Sequence, residues 1–305
     1  MPVFVQFQVL RPGPSSVSLK LAWGWLGLLM VAAAGAAEPM ATLTLLQGEA
    51  TVVVGARAYV AVAGARLGSG AIVQTDAKTS LLRLEWSDGS LVDLGPATQI
   101  MIRPPVPLPR TALIYVLQGW VKHSQPAVLA GQLSAAFDVA PFKGVLVSHV
   151  DGDVTTLFSE SGGEKLTGRR GGVALALGAG QAAVDQPGFA PMTQPRPPSG
   201  WLQRIPSSFR DTIPSRLSNF KAAPEALRAR AAWGYAELEL WLKAEQGVRR
   251  DFPTRFDNML NQAGFRAAVT KNLNQHPEWD GALRQYRAAG SPRKSRPTND
   301  QEPSQ

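Results

Sequence analysis

Residues 67–100 read LGSGAIVQTDAKTSLLRLEWSDGSLVDLGPATQI, and this stretch decides the fold class. It holds three short apolar or alternating runs, AIVQT (71–75), SLLRLEW (80–86) and SLVDL (90–94). In the middle run Leu82, Leu84 and Trp86 share one side of a strand, while Leu81, Arg83 and Glu85 share the other. Asp88-Gly89 offers the positive φ angles of a tight hairpin, and Gly68-Ser69-Gly70 and Gly95-Pro96 mark further turns.

The same grammar extends outward. ATLTLL (41–46), ATVVVG (50–55) and ALIYVLQGWV (112–121) are strands by composition, as are FDVA (137–140), GVLVSHV (144–150) and DVTTLF (153–158). GVALAL (172–177) and QAAV (181–184) close the series. A strand every ten residues or so is the spacing of a β-solenoid, barrel or sandwich. Residues 38–186 are therefore expected to be mainly β, with short antiparallel strands. A Pro-rich linker follows over 187–199.

Beyond it the period changes. Phe252, Phe256, Met259 and Leu260 form a helical stripe, and so do Phe265, Val269 and Leu273. Trp279, Leu283 and Tyr286 make another, and Tyr235, Leu238 and Leu242 a fourth that Trp241 widens. Residues 200–289 are read as a small basic α-helical domain. Residues 290–305 have no large apolar side chain and are expected to be a disordered tail.

At the other end, Arg11 and Lys20 precede an apolar run from Leu21 to Ala37, rich in Ala and Gly before Glu38-Pro39. That is the order of a secretory signal peptide over residues 1–37, with an uncleaved anchor helix as the alternative. After cleavage no other segment approaches a membrane span, and the chain is expected in the periplasm.

Composition narrows the function classes. With no Cys, disulfide scaffolds, thiol nucleophiles and zinc ribbons are excluded. The three His, at 123, 149 and 276, stand at no ligand spacing. Residues 38–199 balance twelve basic against twelve acidic side chains, whereas 200–305 carry seventeen against eleven. The basic excess thus belongs to the C-terminal part.

The run from Ile72 to Thr75, then Asp88-Gly89-Ser90, then Pro96 with Thr98 resembles the FecR-type domain of bacterial envelope proteins. LALGAGQAAV (175–184) looks like the closing strand pair usual downstream of that domain. The resemblance covers about residues 43–185 and implies a periplasmic β-domain with a binding or signalling task. The twenty residues before the apolar run are too few for the anti-sigma segment of the namesake regulators, so it implies a member without one. A weak repeat accompanies it: Leu46-Gln47-Gly48 returns as Leu117-Gln118-Gly119.

Chemical motifs give way to plainer readings. Gly178-Ala-Gly-Gln-Ala-Ala183 copies a dinucleotide fingerprint but sits between strands, not before a helix. Asp151-Gly152-Asp153 reads as a turn rather than half a calcium loop. No nucleophile elbow, phosphate loop or zinc-protease motif is present, so no catalytic residue, cofactor or metal is assigned and no enzyme is expected. Arg249, Arg250, Arg255 and Arg266 with interleaved Phe252 and Phe256 invite a nucleic-acid reading, but the aromatics fall on the core stripe. The expected partner is instead an envelope protein, with a cell-wall polymer such as peptidoglycan or a polysaccharide as the alternative. The candidate surface is Trp201, Trp233, Arg249, Arg250 and Arg255.

Overall fold

A computed structural model describes residues 41–103, 112–222, 224–230 and 233–289, all within one compact unit. The export reading of 1–37 and the tail reading of 290–305 lie outside the described residues. No described helix is long and apolar enough to cross a membrane.

Strands dominate. β1 spans Ala41–Gln47, β2 Ala50–Val54, β3 Arg57–Val60, β4 Arg66–Leu67, β5 Ile72–Thr75, β6 Leu81–Glu85, β7 Leu91–Leu94, β8 Gln99–Ile102 and β9 Ala112–Gln125. β10 spans Gly131–Ser134, β11 Phe137–Val139, β12 Gly144–Asp151, β13 Val154–Gly168, β14 Val173–Gly178, β15 Ala182–Asp185, β16 Met192–Gln194 and β17 Arg228–Ala229. Pairing arranges one sheet as β4-β1-β6-β7-β9-β12-β13-β15-β16. The other runs β17-β3-β2-β5-β8-β9-β10-β11-β13-β14. Every pair is antiparallel except β9 with β10.

Two long strands belong to both sheets. β9 pairs with β8 and β10 over its first half and with β7 and β12 over its second. β13 passes likewise from β12 and β15 to β11 and β14. The ring β9-β10-β11-β13-β12 is thereby closed into a barrel, and the remaining strands extend it. The strand spacing leaves solenoid, barrel and sandwich open, with solenoid or sandwich the expectation; bent strands that hydrogen-bond on both sides of a corner make a closed barrel with extra strands.

The corners need glycine. Gly119 has φ 94° and Gly162 φ 107°. A Cβ on Gly119 would lie 2.4 Å from Thr98 Oγ1, and one on Gly162 would lie 2.2 Å from the Lys143 carbonyl oxygen. The Leu-Gln-Gly repeat also has a physical counterpart. Thr79 Oγ1 accepts from the Glu49 N–H and donates to its carbonyl, directly after Gly48. Thr98 Oγ1 accepts from the Trp120 N–H and donates to its carbonyl, directly after Gly119. Each glycine lets a threonine latch the strand beside it.

Leu82, Leu84 and Trp86 are buried in the first core with Leu43, Val52, Val73, Val92 and Ile114. Phe137, Phe142, Leu146, Leu157 and Leu166 fill the barrel. The Asp88-Gly89 hairpin pairs Leu82 with Leu94 as expected, but only Gly89 has positive φ. A Trp86 N–H bond to the Ser90 carbonyl makes the loop three residues long. Asp151-Gly152-Asp153 forms a turn that pairs Asp151 with Val154, and the Gly178–Gln181 turn leads into β15, not into a helix.

The C-terminal part is in two pieces. Residues 201–230 were expected to begin a helical unit; they run instead as an extended strap with three short helical turns and β17. The helices proper are α1, Tyr235–Leu242, α2, Ala263–Lys271, and α3, Trp279–Ala288. They share a core with one face of β2, β5, β8 and β9, where Leu238, Trp241, Phe252, Phe256, Phe265 and Trp279 pack with Val53, Ile72, Met101 and Tyr115. The Phe252–Leu260 stripe is buried as its period requires, but as a helical turn, Phe252–Arg255, and a 3-10 turn, Asp257–Asn261. The break is at Phe256, whose backbone (φ −109°, ψ 20°) leaves the α region.

Candidate interaction surface

The outer side of β6 shows what the strap does. Arg83 makes a bidentate pair with Asp93, Nε to Oδ1 at 2.6 Å and Nη2 to Oδ2 at 2.7 Å, and both are buried. Arg83 Nη1 also donates to the Ile213 carbonyl at 2.6 Å. Glu85 accepts from Thr44 Oγ1, from Ser215 Oγ and from the Arg216 N–H. Burial pushes the Glu85 carboxyl up, but these hydrogen bonds with the Arg83 charge leave it below the usual carboxylate range. Lys122 Nζ donates to the Phe209 carbonyl, and Ser208 Oγ to that of Ser80. The strap is therefore fastened through charged groups of the sheet it covers.

It also relocates the charge. Residues 201–230 carry six basic and two acidic side chains, while 233–289 carry eight and seven. The basic excess expected of the helices sits mainly on the strap, where Arg204, Arg210, Arg216, Lys221, Arg228 and Arg230 are all exposed.

The five candidate surface residues do not form one site. Trp201, expected at the surface, is 1% exposed, beneath the strap against Trp120 and Phe158. The cause is its neighbours Leu81, Val147 and Phe209, which complete an apolar cluster around it. Trp233 is half-buried at the edge of the helical core. Arg249 is paired with Glu278 at 2.5 and 2.6 Å and mostly covered. Arg255 donates to the Gly55 and Val53 carbonyls and lies 4.8 Å from the Phe256 ring centre. Burial lowers its guanidinium to about 10, and its two backbone hydrogen bonds fasten the helices to the β2–β3 hairpin. Arg250 alone of the five is exposed.

The larger concavity lies between α2 and α3, about 680 Å³, lined by Ala263, Arg266, Ala267, Thr270, Lys271, Leu283, Tyr286 and Arg287. The α2 residues recur at i, i+3, i+4, i+7 and i+8, so one helix face forms a wall of small side chains with cations along it. Arg266 is fixed by the Leu260 carbonyl at 2.5 Å and Tyr286 Oη at 3.1 Å, with its guanidinium over the Tyr286 ring. None of the lining side chains is a carboxylate. Of these residues the sequence reading placed Leu283 and Tyr286 on an apolar stripe and weighed Arg266 alone as a binding cation; the spacing of Ala263, Ala267 and Thr270 opposite an apolar stripe was the available signal.

Titratable groups elsewhere are buried in the fold. His123 lies in the barrel, with Nε2 2.6 Å from Gln125 Nε2, and burial drives its pKa down to about 3. His149 stacks on Trp120 at 3.9 Å, and burial holds it near 4. Glu164 is buried with both carboxylate oxygens unpartnered, and burial raises its pKa. Among the described residues no three His, Asp or Glu gather as metal ligands would.

No family profile matches this sequence, and no curated protein sequence matches it. Two solved structures of a Parabacteroides distasonis protein, provisionally described as an anti-sigma factor, are distantly similar. They have 10% and 9% identity and TM-scores of 0.36 and 0.35. Each likeness covers 41% of this chain, which spans 59% of the length of those structures.

Proposed function

We propose that this chain is an exported, non-catalytic binding protein of the bacterial envelope. In this reading a FecR-type β-domain is the scaffold, the helical layer is the contact surface, and the partner is an envelope protein in a signalling or assembly role. The observation that carries it is the α2–α3 groove, an amphipathic trough with three cations and no carboxylate in its lining. Helix-in-groove recognition uses such a trough, and the charge selects an acidic partner segment.

The test is photocrosslinking from a reactive residue placed at Thr270 in cells that export the chain. A discrete adduct that disappears in Lys271→Glu/Arg287→Glu supports the reading. Absence of any adduct, or one indifferent to that charge reversal, rejects the groove. Recovery of the chain with residues 1–37 intact in the cytoplasmic fraction rejects the export.

A further inference from the structure

A second, smaller cleft, about 290 Å³, opens where the β2–β3 turn, β17 and the Asp257–Asn261 turn converge. Arg57, Arg230, Trp233, Asn258 and Gln262 line it, with Ala56, Ala58, Ala229 and Met259 between them. Arg57, Asn258 and Gln262 are exposed, and their side chains make no hydrogen bond or ion pair to any described residue. Arg230 is held by Thr51 Oγ1. Trp233 Nε1 is buried without a partner.

Polar side chains from three separate chain segments line one concavity beside a half-buried indole, which is the make-up of a ligand site. The kinds of group define the ligand. A side-chain amide donates and accepts at once, which suits hydroxyl groups and is wasted on a simple anion. Two guanidinium groups call for a carboxylate or an equivalent oxyanion. A half-buried indole offers a flat apolar wall.

We propose that this cleft binds a carboxylated pyranose unit of an acidic polysaccharide. Trp233 lies against the apolar face of the sugar ring, Asn258 and Gln262 take its hydroxyls, and Arg57 with Arg230 takes the carboxylate. The site is separate from the α2–α3 groove, which begins at Ala263 on the other side of Gln262, and it stands whether or not that groove holds a protein.

The experiment titrates residues 38–305 with trigalacturonate, galactotriose and sodium acetate, following saturation transfer to the sugar protons and the heat of binding. Trigalacturonate is expected to bind in preference to galactotriose. Arg57→Gln, at an exposed position, should weaken it by about tenfold, the usual worth of a charge-assisted hydrogen bond. Asn258→Ala should weaken it as well and Trp233→Leu should abolish it, whereas Lys271→Glu/Arg287→Glu should leave it unchanged. No binding at ~10 mM trigalacturonate overturns the proposal, since an interaction weaker than that is not specific recognition. Displacement by acetate at equal concentration overturns it, as does equal binding of galactotriose, or affinity unchanged in both Arg57→Gln and Asn258→Ala.

Discussion

His123 is placed so that acid should loosen the barrel from within. Its imidazole is fully buried, edge-on to Phe142 with ring centres 5.0 Å apart, and Nε2 faces the Gln125 amide. Burial is the main reason its pKa falls from 6.5 to about 3; the Asp88 charge and the Gln132 side chain pull weakly the other way. In the unfolded chain the same group regains its ordinary value. Below pH 6.5 the unfolded state therefore binds a proton that the folded state refuses, so stability drops as the pH falls from 6.5 toward 3. Each pH unit in that window costs about 1.4 kcal/mol, so at about pH 4.5 the loss from this one group is about 3 kcal/mol. Urea unfolding of residues 38–305 at about pH 7.5 and about pH 4.5 measures it, with His123→Gln removing the titration but keeping a polar side chain in place. The variant's stability should change with pH by about 3 kcal/mol less than that of the native chain. Coincident pH dependences would mean that water or a carboxylate reaches the ring, and the reasoning would fail.

Other perturbations follow from single sites. Glu164→Gln should raise the urea midpoint near neutral pH and lose that advantage in acid, because a carboxyl whose folded pKa is raised stabilises the fold only below its ordinary range. Arg83→Met strands buried Asp93 and should cost about 3–5 kcal/mol in chemical denaturation, whereas Arg83→Met/Asp93→Leu should recover much of it. Equal losses for the two variants would show that the strap's bond to Arg83, not the charge pair, dominates. Gly119→Ala should cost well over the ~1 kcal/mol expected of Gly152→Ala, since both have positive φ but only Gly119 meets an atom within 4 Å. Thermal melts of the two variants decide it.

The sequence was most legible where one local rule set the structure. Period-two burial put Leu82, Leu84 and Trp86 inside, and period 3.6 put Phe265, Val269, Trp279 and Leu283 inside, because a side chain's face follows from backbone geometry alone. Closure of the barrel was not legible, for it depends on which strands Gly119 and Gly162 let turn the corner, and a glycine in a strand pattern is compatible with a bulge, a bend or a turn. Nor was the burial of Arg83 and Glu85. Their alternation with leucine is that of a strand with one wet face, and nothing in SLLRLEW says that residues 130 positions later will cover it.

The strap carries the same lesson to the candidate surface. Trp201, Ile205 and Phe209 recur every four residues, but Pro206 interrupts the stripe and residues 210–230 show no period, so Trp201 reads as an exposed entry to a helical unit. In the fold the strap is amphipathic over this short stripe: Trp201, Ile205 and Phe209 are buried against the sheet while Arg204, Arg210 and Arg216 are exposed. Its backbone carbonyls at Phe209 and Ile213 and its N–H at Arg216 are satisfied by Lys122, Arg83 and Glu85 rather than by a ladder. Such a segment can be ordered only after the sheet beneath it exists, because each of its partners comes from a distant strand. That dependence makes the outer face of β6 and β7 one of the places where the C-terminal part is joined to the β-domain, beside the core that the helices share with β2, β5, β8 and β9. It also explains why charge was misplaced from the sequence: the arginines counted toward the helices belong to the strap that leads to them.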